Sequence, residues 1–301
     1  MTKGIGNVEY IRQGSEVTVA DQTNWKFLYM TSLVKHQRYK VGDRVVTPDG
    51  RAFRYSQVLP AAVNANALVR SGFGAGIYPR VNISDLAPAQ VAPAQTILGV
   101  VSSAGAIGDS VVTVNTKATS GVNADGVIAA DELRGGYIVI GNETFNPQNR
   151  QIIGNTAGVV GAITAITVFL DGPLTTAVTA GATYIEIMPN PYLNMYGNPG
   201  AALSPGFMTF GGVPTVTAAA SAYFWLQTWG PLWVTPSGTP GATHQPGYTT
   251  GDREVFFVGD GSIYGGEAAT VEAGWQRAGV IMQRDAATSA GPPFIFLQIN
   301  P

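Results

Sequence analysis

Three carboxylates, Asp252, Glu254 and Asp260, are the residues of this chain best spaced to do chemistry. Glycoside hydrolysis needs only two such groups, one acid and one base or nucleophile. Asp252 and Glu254 alternate, so on a strand both would point to one side. Asp260 follows at a turn. The same spacing also describes a solvated strand face, and that plainer reading outweighs the hydrolase. His36 and His244 are the only histidines. His36 sits in the basic run "KHQRYK" and His244 in a Gly/Pro/Thr loop. Neither has a catalytic neighbour in sequence, which speaks against a histidine triad or a zinc site. No phosphate loop, no G-x-S-x-G elbow and no H-E-x-x-H motif occurs. "GFGAG" (Gly72–Gly76) fails the dinucleotide spacing, because Ile77 stands where the third glycine belongs, and it reads as a flexible loop. With no cysteine in the chain, disulfides, thiolate metal sites and thiol catalysis are excluded. No catalytic residue, metal or cofactor is expected.

The elements that would hold such residues are strands. No convincing run of apolar residues at helical spacing exceeds two turns. Short β-branched runs bounded by Gly, Pro, Asn and Asp recur instead. They predict strands at Val17–Ala20, Asp43–Val46, Ala52–Ser56, Ser110–Asn115, Tyr137–Ile140, Ala165–Leu170 and Thr183–Met188. Further ones fall at Tyr223–Thr228, Leu232–Val234, Glu254–Val258, Ala278–Gln283 and Phe294–Ile299. The expected fold is mainly β: sandwich or barrel domains, jelly-roll-like, with an extended N-terminal arm and very little helix. "GDRVVTPDG" (Gly42–Gly50) echoes "GDREVFFVGDG" (Gly251–Gly261), each a turn, a strand and an Asp-Gly turn.

Composition divides the chain into three regions. Residues 1–95 are a basic arm and hairpin region ending in the Ala/Pro/Gln linker "LAPAQVAPAQ", which cannot build a core. Residues 96–206 are Thr/Val/Gly-rich and look like an inserted β domain. Residues 207–301 carry four of the five tryptophans. Only 12% of residues are charged, with 38 glycines and 19 prolines, against roughly 25% charged in ordinary domains. A chain that hides surface against its own copies can do without charge. Residues 1–80 hold 11 Lys/Arg against 5 Asp/Glu, and residues 81–301 hold 6 against 14. The front end is therefore suited to an acidic surface. Nucleic acid fits less well, since the rest of the chain would repel it. "MTKGIGNVEY" contains no apolar run, so no signal peptide is expected. The most apolar window, Val159–Leu170, falls short of the ~20 residues of a membrane helix.

The stretch "YFWLQTWGPLWV" (Tyr223–Val234) is the strongest feature. As a strand it turns Tyr223, Trp225 and Gln227 one way and Phe224, Leu226 and Thr228 the other. Both faces are apolar, so both should be covered. Gly230-Pro231 is expected to break the strand, leaving Trp229 and Trp233 as exposed or inter-chain aromatics.

This stretch, with "GDREVFFVGDGSI" and "WQRAGVIMQ…PPFIFLQINP", resembles the C-terminal module of tailed-bacteriophage head decoration (cement) proteins. Trp225, Gln227, Gly230 and Val234 match that family's aromatic-x-W-x-Q-x-x-G-x-x-x-V strand. Asp260-Gly261 matches its turn, Arg277–Gln283 its next strand, and "PPFIFLQIN" its last. "VGDRVVTPDGRAFRYSQ" (Val41–Gln57) is similar to an N-terminal hairpin of such virion proteins. Residues 96–190 match nothing in the family. The resemblance implies a non-enzymatic clamp on the capsid exterior, made in the host cytoplasm. It would be a homotrimer bridging copies of the major capsid protein, with no nucleic acid or membrane partner. Lys26, Lys35, Arg38, Lys40 and Arg44 would then face acidic capsid surface, with burial of Trp25, Phe27 and Tyr29 supplying most of the affinity. Those three aromatics fit equally well inside the protein's own fold. The alternative is a tail-fibre or receptor-binding virion protein that grips host glycan.

Overall fold

The computed structural model describes residues 16–18, 25–60, 68–77, 98–115, 128–141, 147–158, 165–197, 209–237, 253–265, 275–283 and 293–301. It is mainly β, and the one helix among the described residues is a 3-10 turn at Trp25–Tyr29. The strands are β1 Glu16–Thr18, β2 Arg44–Val46, β3 Ala52–Gln57, β4 Leu68–Val69 and β5 Ala75–Ile77. Next come β6 Leu98–Val100, β7 Val111–Asn115, β8 Tyr137–Gly141, β9 Gln148–Asn155, β10 Ala165–Leu170 and β11 Tyr184–Met188. The chain finishes with β12 Met195–Tyr196, β13 Phe210–Pro214, β14 Ala218–Ala219, β15 Tyr223–Trp233, β16 Glu254–Phe257, β17 Ile263–Gly265, β18 Arg277–Gln283 and β19 Phe294–Gln298.

The chain gathers into two compact units where composition alone suggests three regions. One unit joins Met1–Tyr78 to Tyr192–Pro301, and the other is Pro79–Pro191. Backbone pairing explains the join. β3 lies antiparallel to β15 from Tyr223↔Gln57 to Trp229↔Ala52, and β5 pairs with both β12 and β13. The basic front region therefore shares its sheet with the aromatic C-terminal region.

In the second unit the order is β6-β11-β8-β9-β10-β7. A Val101↔Val114 bridge and a Ser102 N–H to Thr113 carbonyl bond of 2.8 Å join the first strand's end to the last. The sheet thus curls round on itself. Alternation explains its interior: Val112, Val114, Ile138, Ile140, Ile166, Val168, Ile185 and Ile187 are buried, while their strand neighbours are not.

In the first unit the order is β1-β2-β3-β15-β19-β18-β16-β17, with β13, β5 and β12 branching from β15. β15 is the shared strand. Along one edge it holds β3. Along the other it holds β13 at Leu226 and Gln227, then β19 from Trp229 to Trp233. Gly230-Pro231 bends this strand and does not break it, contrary to the expectation from sequence. The register to β3 slips between Gln227 and Trp229. Gly230 takes a φ of +95°, a region that costs side-chain-bearing residues dearly. The buried Gln227 amide nitrogen donates into the bend, at 3.2 Å from the Trp229 carbonyl, 3.4 Å from Gly230 and 3.0 Å from Pro231.

The bend lets one strand serve three cores. Phe224 and Leu226 join Val58, Leu59, Val69 and Met195. Trp225 joins Leu28, Val45, Phe53 and Tyr55. Beyond the bend, Leu232 and Val234 reach Phe257, Ile263, Ile295 and Leu297. The two-sided burial expected of Tyr223–Thr228 is present, with Phe224 through Thr228 all buried. Replacing Gln227 by Leu keeps the volume and removes the donor. We expect it to destabilise the fold by about 1–3 kcal/mol in chemical denaturation, with the bulge carbonyls left short of a partner.

Candidate functional site

The two Asp-Gly echoes form matching turns. Gly50 and Gly261 both adopt φ +84°. At the β16–β17 hairpin, the Asp260 carboxylate accepts from the Ser262 N–H at 2.9 Å and the Ser262 hydroxyl at 2.5 Å. At the β2–β3 hairpin, Asp49 accepts from the Thr47 hydroxyl and from the Arg51 guanidinium at 2.8 Å. Burial pushes the Asp49 carboxyl up, but the Thr47 and Arg51 donors outweigh it and hold the group below its ordinary range. Two of the three carboxylates weighed from sequence for acid-base work have structural partners. Asp260 braces a turn, and Glu254 forms an ion pair of 3.1 Å with Arg277 on an open strand face. Asp252 and His244 lie outside the described residues. Among the described residues no three His, Asp or Glu side chains gather into a metal site. No helix among them is long and apolar enough to cross a membrane. "GFGAG" is packed backbone and not a free loop: the Gly74 N–H donates to the Gly261 carbonyl at 2.6 Å, and a Cβ there would strike Phe210 and Phe257.

Two surface features stand out in the first unit. The first is built on aromatic packing. Phe27 stacks on Tyr39 at 5.9 Å and meets Trp225 edge-on at 5.6 Å. Tyr39 meets Trp225 at 5.0 Å, and Tyr55 stacks on Tyr223 at 5.7 Å. Trp25 lies 6.2 Å from Phe27. Trp25 and Phe27 are thus half-buried in the protein's own fold. Packing within the protein's own fold, which the sequence allowed equally with a capsid contact, is what these two rings show. Tyr29 is exposed, with its hydroxyl accepting from Arg51 at 3.0 Å. Lys26, Lys35, Arg38 and Lys40 are exposed, whereas Arg44 is half-buried on β2 directly opposite Arg54. Burial, and then the Arg54 charge, lowers the Arg44 pKa. His36 stacks on Tyr39 at 4.5 Å, and its Nδ1 accepts from the Arg38 N–H.

The segment that carries these cations also exposes Met30, Leu33 and Val34. Nothing in the sequence singles out these three. An apolar trio in an aperiodic stretch carries no signal of which side it faces.

The second feature is the outer face of β15, β19 and β18. Trp233 stands opposite Phe294 in the ladder, and the two are 40% and 42% exposed. Met282 on β18 is 51% exposed. Trp229 is half-buried, edge-on to Phe296 at 5.5 Å. The Trp233 ring lies over Gly72, where a Cβ would come within 2.2 Å of it. The alternation in "FIFLQ" could have singled out Phe294, since Ile295 and Leu297 are the buried partners.

No family model, no curated protein and no solved structure matches this chain.

Two outcomes check the geometry. Gly72→Ala should displace the Trp233 ring, change tryptophan emission and destabilise the fold by about 1–3 kcal/mol, because φ is +78° as well. Burial raises the pKa of both Tyr55 and Tyr223. Groups with raised folded pKa values stabilise fully below their unfolded value, about 10 for tyrosine, and lose that contribution as pH climbs through the folded one. Stability followed by denaturation should thus fall above about pH 10, and Tyr223→Phe should shallow the decline.

Proposed function

We propose that this chain is a structural virion protein that binds the outer surface of a tailed-phage head and cements neighbouring capsid subunits as a homotrimer. The observation that carries the reading is the open apolar face of Trp233, Phe294 and Met282 on a sheet of a chain only 12% charged. Such a face favours cover by another chain, and aromatic residues at the centre of a contact supply most of its energy. The family resemblance of Tyr223–Val234 and of the strands after it supports the same reading. So does the use of Asp260 and Glu254 in a turn and a surface ion pair. In this scheme Trp233 and Phe294 lie between copies. Lys26, Lys35, Arg38 and Lys40 face the major capsid protein. Binding is by contact area multiplied over copies, without turnover.

A second reading has one observation behind it. A tryptophan laid on a glycine, with a phenylalanine opposite, could stack a sugar ring. That arrangement suits a receptor-binding virion protein.

Electron microscopy of particles should find the chain on heads and not on tails. Light scattering should give about three times the 31.4 kDa chain mass, and Trp233→Ala with Phe294→Ala should dissociate the trimer. A monomeric wild-type chain, or particles carrying it on tails, overturns the cement reading.

A further inference from the structure

We propose that residues 29–40 form a preformed docking ledge whose apolar tip, Met30, Leu33 and Val34, seats in an apolar hollow rimmed by carboxylates on a partner protein. The inference rests on the cement reading for the partner's identity, the major capsid protein, and adds the chemistry of that contact.

Exposure comes first. Met30, Leu33 and Val34 are 62%, 73% and 76% exposed. Isolated apolar residues on a surface are ordinary, but three within five positions, next to the exposed Tyr29, make a patch.

The tip is also held in place. The Ser32 N–H donates to the Tyr223 carbonyl at 3.0 Å, and the Tyr223 N–H returns the bond to Ser32 at 2.7 Å. The Ser32 hydroxyl donates to the Val34 carbonyl at 2.8 Å and accepts from the Val34 N–H at 3.0 Å. Two residues on, the His36 N–H donates to the Tyr55 hydroxyl at 3.0 Å. Tyr223 and Tyr55 belong to the aromatic core beneath, so the ledge is moored to packed side chains. A surface already ordered before binding loses less entropy on binding. The bonds that fix Leu33 and Val34 outward bring no burial of their own, which is the arrangement expected of a plug.

Charge selects the partner. Lys26, Lys35, Arg38 and Lys40 are exposed along this segment, and no acidic residue occurs between Asp21 and Asp43. Cations around an apolar centre complement carboxylates around an apolar hollow, which speeds encounter and rejects basic surfaces. Phosphate backbones would meet the cations but leave the tip in water, so nucleic acid fits poorly.

The test uses heads assembled without this chain and cosedimentation of the full-length protein over a range of salt. Wild type should bind, more weakly as salt rises. Leu33→Asp with Val34→Asp should lower affinity roughly tenfold or more, with melting temperature and oligomeric state unchanged. If the aspartates disturb the loop, Leu33→Ser with Val34→Ser serves instead. Lys35→Glu with Arg38→Glu should weaken binding and flatten its salt dependence. Tip variants that bind heads as tightly as wild type overturn the ledge and leave the cement reading standing. Wild type that binds no heads overturns that reading and the ledge's partner with it. A tip variant that loses its oligomeric state shows a contact between copies. One that loses binding to phosphatidylserine vesicles shows a lipid contact. Either result overturns the capsid assignment.

Discussion

The first unit depends on one side-chain amide. β15 lies between β3 and β13 at its start and pairs with β19 from Trp229 to Trp233. At the Gly230 bend the Trp229, Gly230 and Pro231 carbonyls come within reach of the buried Gln227 amide, a donor from within the same strand. A neutral amide is well suited to this, because a charged donor there would bring a desolvation penalty of several kcal/mol. Through the bend, one strand contributes to three hydrophobic clusters that share no residue.

Much of this was legible in the chain, and what was not has physical causes. The Asp-Gly turns could be read because positive φ at Gly50 and Gly261 is a local requirement with a local signature. Alternation in Tyr223–Thr228 likewise announced two covered faces. Gly230-Pro231 misled, since the residues that end strands also bend them, and only the Gln227 contact tells the cases apart. The pairing of β3 with β15 was invisible because its partners are some 170 residues apart in sequence, and periodicity carries no information about which strand a strand will meet. β9 was missed because "QNRQIIGN" is too polar to read as a strand until its place between β8 and β10 is known.

The candidate surfaces divide in the same way. Trp233 was visible as an aromatic beyond a break signal, but its neighbour Gly72, which makes room for the ring, lies far away in the chain. The cations of residues 26–40 were plain. Their apolar companions were not, since Trp25 and Phe27 look no more buried in sequence than Leu33 and Val34 do. The 3-10 turn decides it by aiming Leu28 inward and rolling Phe27 onto Tyr39.

The seam at β5 and β12 has a consequence for how such a chain can vary. Met195 pairs with Ile77 and Tyr196 with Gly76, so the backbone departs from this sheet and comes back to it on adjacent strands, about 4.8 Å apart. The second unit, Pro79–Pro191, falls in sequence between these two strands. Any folded module whose own ends lie side by side could occupy the same slot without disturbing the host sheet.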